Sequence, residues 1–159
     1  MTFTDQEESR LSRVSTGLAA LVEVKVVLDH LSASQALPFR AHLFRPAARL
    51  LSFQPGVRRL RGKLLPPAVI VEGEVGGMLE LTSPAGRLFR QESWQPFSAV
   101  LPLAQGTSRA ESAELFLGCR ADGRAFLAGP YQVRGQVVLD LEVEVLVRQD
   151  LLLRLARSV

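Results

Sequence analysis

The stretch VRGQVVLDLEVEVLV, residues 133–147, decides the fold class. Every second residue from Val133 to Val147 is aliphatic or glycine, and most of the residues between them are polar or charged. A period of two is typical of a β-strand with one face buried and the other in water. The run is longer than most strands, so we expect it to bend, and Gly135 is where we expect a bulge.

The same alternation occurs in residues 22–28 and 69–81, with Glu, Lys or Asp on the outward side. Turn signals follow one another at intervals of about ten residues. They fall at residues 32–35, 54–56, 66–67, 83–86, 121–123 and 129–130. Short strands at this spacing predict an all-β fold, either a sandwich or a barrel-like assembly.

The length of 159 residues suits one domain or two small ones. Residues 1–20 are predicted to be a short helix or an arm, because Thr4 and Glu7 have the spacing of a capping box. Residues 21–148 are predicted to form the β domain. Residues 149–159 are expected to be an apolar C-terminal tail.

The β domain is predicted to contain an internal duplication. Leu37-Pro38-Phe39 resembles Gln95-Pro96-Phe97, and residues 69–75 resemble residues 131–137 in the same order. The half-repeats then run over about 37–81 and 95–147. Since each half begins with a Pro-Phe strand and ends with a Val-rich strand, we expect the two halves to swap or share strands.

Composition excludes several classes of protein. Hydrophobic residues make up 47% and charged residues 22%, which is ordinary for a globular chain and excludes global disorder. The net charge of +3 is too small by itself to indicate a nucleic-acid partner. A single cysteine cannot form an intramolecular disulfide, and no apolar run is long enough to span a membrane. The first eight residues lack the features of a secretory signal, so we expect an intracellular protein.

Two motifs point to a family. Residues 68–73 read AVIVEG and residues 95–98 read QPFS, and the alternating run 133–147 follows them. Together they resemble the SPOCS domain of endospore-forming Firmicutes over roughly residues 37–148. The sequence departs from that pattern at Glu72, where the family usually has glutamine, and at residues 79–81, where an aromatic residue is usual.

The resemblance implies a non-catalytic structural protein of spore coat or spore envelope assembly. It implies action by self-association and protein–protein binding, with other spore-assembly proteins or a second copy of the chain as partners, in a homo-oligomer or a filament. It implies a location in the mother-cell cytoplasm, the spore coat or the spore surface. The family supplies no catalytic residue and no cofactor to carry over.

The residues that could support chemistry are few. His30, His42 and Cys119 have neither the spacing of a metal site nor that of a catalytic nucleophile with its base. We therefore predict no catalytic residue, no metal and no cofactor, and we expect that the protein is not an enzyme. Cys119 is interpreted as a buried structural cysteine.

One basic stretch stands out, because seven cationic residues occur between positions 40 and 63 with no acidic residue among them. It is interpreted either as a site for an acidic protein, a phospholipid or a nucleic acid, or as a solvated face balanced by the acidic strands. Aromatic residues at stacking spacing are absent, so we expect no nucleic acid. The predicted partner-binding residues are Arg58, Arg59 and Arg61, together with Leu151, Leu153 and Leu155 of the apolar tail.

An alternative function is the binding of a small ligand or a carbohydrate. Such a module needs a pocket with aromatic walls. Trp94 and Tyr131 would have to lie together beside an open cleft for this function to hold.

Overall fold

The computed structural model describes residues 19–104 and 113–154 of the chain. These residues form six long strands and no helix. The strands are β1 (Ala19–His42), β2 (Arg49–Leu65), β3 (Ala68–Thr82), β4 (Leu88–Pro102), β5 (Glu114–Gly129) and β6 (Gln132–Arg154).

Two three-stranded antiparallel sheets pack against each other as a sandwich, which confirms the predicted all-β class. One sheet has the order β1-β6-β5 and the other has the order β2-β3-β4. The alternating run in residues 133–147 buries its aliphatic side as predicted, and the buried valines and leucines of β3 face it from the other sheet. The largest fully buried side chains include Phe39, Leu79, Leu81, Leu139 and Leu141.

The chain divides into two compact units. The described residues of the smaller unit are 19–26 and 147–154, where Arg148 Nη1 lies 3.4 Å from Glu23 Oε1. The larger unit is Val27–Leu146. Residues 149–154 belong to β6, so the strand runs further than the predicted start of the apolar tail. Of the predicted N-terminal arm, residues 1–18 lie outside the described part.

Three predicted turns lie inside continuous strands, and there the sequence interpretation is wrong. Residues 32–35 are part of β1, residues 54–56 are part of β2, and residues 121–123 are part of β5. Pro55 pairs with Gly77 in an unbroken stretch of the ladder. Proline is tolerated there because β2 is the outer strand of its sheet and its missing N–H need not serve a second neighbour.

The turns at the ends of the strands lie at the predicted positions, except that the turn predicted at residues 129–130 lies one residue later. Residues 66–67 join β2 to β3, and residues 130–131 join β5 to β6. In the turn at residues 83–87, Ser83 N donates to Arg87 O at 2.8 Å and Gly86 N donates to Ser83 O at 2.9 Å. Gly86 has φ of 79°, a left-handed conformation that glycine adopts without steric cost.

Glycines inside the strands set how closely neighbouring strands approach. A β-carbon on Gly76 would overlap the carbonyl oxygen of Ser93 on β4, and one on Gly135 would overlap that of Arg124 on β5. Gly135 pairs with Ala125 without a register shift, so no bulge occurs there in the β5–β6 ladder. The glycine serves close approach instead of bending the strand.

The two halves of the chain exchange their first strands. β1 joins the sheet that contains β5 and β6, while β4 joins the sheet that contains β2 and β3. Each half therefore contributes two strands to one sheet and one strand to the other. This is the pairing expected of halves that share strands, and the duplication itself stays a prediction from the sequence.

The sandwich has two seams, by which we mean the lines where edge strands of different sheets lie side by side. At the β1–β4 seam, Gln91 Nε2 donates to His42 O at 2.8 Å and its Oε1 accepts from Phe44 N at 3.0 Å. Gln95 repeats the arrangement, with Nε2 donating to Pro38 O and Oε1 accepting from Arg40 N. The two side-chain amides thus make the hydrogen bonds to backbone groups that a paired strand would make in a β-ladder.

The β2–β5 seam is closed by apolar side chains. A β-carbon on Gly62 of β2 would lie 3.0 Å from Leu115 and 3.1 Å from Leu117 of β5. A β-carbon on Gly123 of β5 would lie 3.3 Å from the Phe53 ring of β2. Each strand therefore presents a glycine to bulky side chains of the other.

Candidate functional site: the arginine groove of β2 and β3

The predicted arginines lie at an irregularity in the β2–β3 ladder. Arg58 pairs with Glu74 and Arg61 pairs with Glu72, which leaves two residues of β2, Arg59 and Leu60, opposite Gly73 alone. Arg59 has φ of 54°, in the left-handed region that favours glycine. A residue with a β-carbon in this conformation costs roughly 1 kcal/mol more than a glycine would. The fold holds an arginine where a glycine would be more stable.

The three arginines share two carboxylates on β3. Arg58 Nε lies 2.6 Å from Glu74 Oε2, and Arg59 Nη1 lies 3.7 Å from Glu74 Oε1. Arg61 Nε lies 3.5 Å from Glu72 Oε2. The group therefore carries one positive charge in excess. The side chains of Arg59 and Arg61 remain 75% and 73% exposed, so most of their surface is open to a partner.

Arg58 is held more firmly than its neighbours. Its guanidinium carbon lies 4.5 Å from the centre of the Trp94 ring, and its side chain is 40% exposed. The Trp94 indole Nε1 donates to Glu92 Oε2 at 3.3 Å. A cation over an indole face adds about 0.5–1 kcal/mol at a partly exposed site. Arg58 therefore supports the sheet, while Arg59 and Arg61 face the solvent.

Beside the bulge is an open groove of about 820 Å³, which we call the arginine groove. Its rim carries the charged residues of β2 and β3, and Phe97 and Leu60 provide apolar surface within it. Its lining consists of Arg59, Leu60, Arg61, Glu72, Gly73, Glu74, Pro96, Phe97 and Ser98. The groove therefore combines exposed guanidinium and carboxylate groups with apolar surface.

The predicted leucines lie elsewhere, in the smaller unit. Leu151 is 41% exposed, and Leu152, which the sequence interpretation did not select, is 59% exposed. The side chain of Leu153 and the whole of Leu155 lie outside the described part of the chain.

The two aromatic residues of the alternative function have different neighbours. Trp94 lies against Arg58, and a β-carbon on Gly56 would lie 3.6 Å from the end of its indole ring. Tyr131 lies in the β5–β6 turn, and its ring stacks on that of His42 with the ring centres 6.4 Å apart. One face of the Trp94 ring is therefore covered by an arginine, and no contact between Trp94 and Tyr131 is seen among the described residues.

The remaining titratable residues were compared with the requirements of a metal site and of a reactive thiol. Among the described residues, no group of three or more histidine, cysteine or acidic side chains is placed to hold a metal ion. Burial raises the pKa of the Cys119 thiol, and the nearby negative charge of Asp140 raises it further. A raised pKa leaves less of the reactive thiolate at neutral pH.

No described segment forms a helix that is long and apolar enough to cross a bilayer.

The sequence interpretation placed the glutamates of residues 69–81 on the outward side of the strand, and it did not identify which arginines they contact. A signal was present, since the turn at residues 66–67 joins a basic strand directly to an acidic one and so brings their charges together. No comparable signal in the sequence points to Trp94. Its contact with Arg58 reaches from β4 across β3 to β2, so it depends on the registers of both the β2–β3 and the β3–β4 pairs.

Comparison with known proteins gives no match. No family model matches the chain, and no significant relative was found among the curated proteins or the solved structures.

Proposed function

We propose that the protein is a non-catalytic structural protein that acts by self-association and protein–protein binding. The arginine groove receives an acidic, extended segment of a partner or of a second copy. The resemblance to the SPOCS domain supports a role in spore envelope or coat assembly, in the mother cell or at the spore surface. The sandwich fold suits this role, since it presents long strands whose outer edges and faces can contact a partner.

The observation that carries the proposal is the conformation of Arg59. A left-handed residue with a β-carbon persists only where surrounding structure enforces it, and such residues cluster at binding sites. Arg59 is 75% exposed, and toward the described residues it makes an ion pair of 3.7 Å with a carboxylate that already binds Arg58 at 2.6 Å. An exposed pair of this length contributes little to stability. The arginine is therefore retained for something other than the fold.

The substitution Arg59→Gly tests the proposal, since it removes the side chain while easing the backbone. We expect the free energy of unfolding to stay constant or to rise by about 1 kcal/mol. We expect self-association, measured by light scattering and sedimentation, to weaken at least tenfold, because one of the two exposed arginines is gone. Arg61→Gln should weaken it in the same direction.

Arg120→Gln is the matched control, because Arg120 is an exposed arginine on β5, outside the groove. It should leave association unchanged. If Arg59→Gly and Arg61→Gln both assemble like the unmodified protein, and both bind partners from a sporulating-cell extract equally well, the proposal is overturned.

A further inference from the structure

A second feature concerns one end of the larger unit, where cationic side chains outnumber the neighbouring carboxylates, of which Glu80 contacts Arg90. Three segments, residues 40–54, 81–91 and 123–139, contain no aspartate and no glutamate. All seven of their arginines are exposed. They are Arg40, Arg45, Arg49, Arg87, Arg90, Arg124 and Arg134.

Backbone hydrogen bonds bring these segments together. In the connection between β1 and β2, Leu43 N donates to Tyr131 O at 2.8 Å and Ala48 N donates to Thr82 O at 2.8 Å. The connection therefore lies between the β5–β6 turn and the β3–β4 turn. We call this combined surface the arginine end. The arginine end continues onto the face of the β1-β6-β5 sheet. There it forms a hollow of about 390 Å³ lined by Arg40, Arg124 and Arg134.

Large apolar side chains are exposed among these arginines. Phe44 is 86% exposed, the largest exposed fraction among the exposed large hydrophobic residues of the described chain, and it lies next to Arg45 in the connection. Leu88 is 56% exposed and follows Arg87, and Tyr131 is 47% exposed. Phe126, 61% exposed, lines the hollow together with the three arginines.

The arrangement pairs an apolar side chain with an arginine at the tips of neighbouring connections. Water solvates exposed phenylalanine and leucine poorly. Repulsion among the arginines is not relieved by acids of the same segments, and within the described part of the chain only Arg90 reaches a carboxylate, with Nη2 4.0 Å from Glu80. An anionic bilayer surface satisfies both kinds of group, because apolar side chains enter the headgroup boundary while arginines bind phosphates. An acidic protein would match the charge but would need a separate pocket for each apolar tip.

We propose that the arginine end docks on the surface of an anionic phospholipid membrane. Phe44, Leu88 and Tyr131 enter the interface, and Arg45 and Arg87 bind the lipid phosphates around them. The hollow formed by Arg40, Arg124 and Arg134 faces the headgroups beside the contact. This surface is distinct from the arginine groove, so the proposal does not depend on the function proposed above.

Vesicle sedimentation with the full chain tests the proposal. We expect binding to vesicles of phosphatidylglycerol and phosphatidylcholine, and little binding to phosphatidylcholine alone. Each arginine near an anionic surface contributes about 1 kcal/mol, so Arg45→Gln with Arg87→Gln should lower partitioning about thirtyfold. Phe44→Ser should lower it about tenfold, and should abolish the blue shift of a fluorescent label attached near residue 44.

Two control variants match these substitutions. Arg120→Gln removes an exposed arginine elsewhere, and Phe116→Ser removes a phenylalanine that is 64% exposed on β5. Both should bind vesicles like the unmodified protein, and Arg59→Gly should do so as well. Folding of each variant is checked by its thermal transition.

Several outcomes would overturn the proposal. One is an absence of binding to the anionic vesicles at low salt. Another is binding that Phe116→Ser reduces as much as Phe44→Ser does, which would indicate nonspecific hydrophobic adsorption. Tighter binding to a single-stranded oligonucleotide or to an acidic peptide than to vesicles, insensitive to Phe44→Ser, would assign the arginines to that polyanion and exclude the membrane.

Discussion

Each of the two seams of the sandwich holds together edge strands of different sheets, and the two seams do so with different chemistry. At the β1–β4 seam, Gln91 and Gln95 bridge the strands by hydrogen bonds from their side-chain amides. At the β2–β5 seam, Gly62 and Gly123 make room for bulky side chains of the opposite strand. When a hydrogen-bonded bridge is broken, water can replace the lost partners. When an apolar contact is separated or made too bulky, water cannot replace the lost packing. The β2–β5 seam is therefore expected to tolerate less change.

The largest effect is expected for Gly123→Ala. A β-carbon at this position would lie 2.8 Å from the backbone oxygen of Gln136 and 3.2 Å from Val137. Because a backbone atom cannot move aside as a side chain can, we expect the free energy of unfolding to fall by about 2 kcal/mol. Urea denaturation measures this change.

Gly118→Ala, on the same strand, serves as the control for Gly123→Ala. A β-carbon on Gly118 would meet nothing closer than the β-carbon of Glu142, at 3.7 Å. Alanine should be neutral there, or should stabilise the strand by up to about 0.5–1 kcal/mol relative to glycine. Equal stabilities of the two variants would show that the surroundings of Gly123, which are Gln136 and Val137 of β6 and Phe53 of β2, are not tightly packed.

A smaller effect is expected for the double substitution Gln91→Ala and Gln95→Ala. Four hydrogen bonds are lost, but both glutamines are partly exposed, so water can solvate the freed backbone groups. We expect unfolding free energy to fall by about 1 kcal/mol. Hydrogen exchange at the amides of Arg40 and Phe44 should accelerate most. Gln54→Ala, at an exposed position in β2, should change neither; unaltered exchange in the double variant would contradict the proposed bridge.

The smallest effect concerns Cys119, whose pKa is raised by burial and by Asp140. The folded thiol keeps its proton at a pH where the unfolded one, with pKa near 8.5, loses it. This contribution to stability is complete below the unfolded pKa and is lost as pH rises through the folded pKa. Alkylation by iodoacetamide at pH 8 should therefore be slower in the folded chain than in urea.

Asp140→Asn should speed that alkylation modestly, while Asp122→Asn, at another exposed carboxylate, should not. The thiol also reports on the seams, since Cys119 lies in the same strand as Leu117 and packs against the core. Gly123→Ala should expose the Cys119 thiol to alkylation, and the double substitution Gln91→Ala and Gln95→Ala should not. The reverse order would mean that the β1–β4 seam opens more readily.

The sequence predicted the fold class because alternation in residues 69–81 and 133–147 reflects burial directly. It divided the strands wrongly at Pro55 and Gly123, since the same residue types serve turns, outer strands and close packing. Turn signals were reliable only where the ladder ends, as at residues 83–86. To tell a turn from a continuous strand at such residues, one must know which strand pairs with them.

The candidate site was predicted in part. The unbalanced charge run led to Arg58, Arg59 and Arg61, because charge is visible along the chain. The left-handed conformation of Arg59 and the stacking of Arg58 on Trp94 depend on register, which no local pattern shows. The arginine end was hidden for the same reason, since its three segments are distant in sequence and meet only through the topology.

The exchange of first strands also sets an order of assembly. Strands β2, β3 and β4 follow one another through short turns, so their sheet can form from local contacts. β1 must wait for β6, and the bond between Leu43 and Tyr131 closes a loop of roughly ninety residues. By chain-entropy scaling, this costs about 3 kcal/mol more than closing a four-residue hairpin. During synthesis, β1 therefore leaves the ribosome first and finds its partner last, with the side chain of Phe39 uncovered in the meantime.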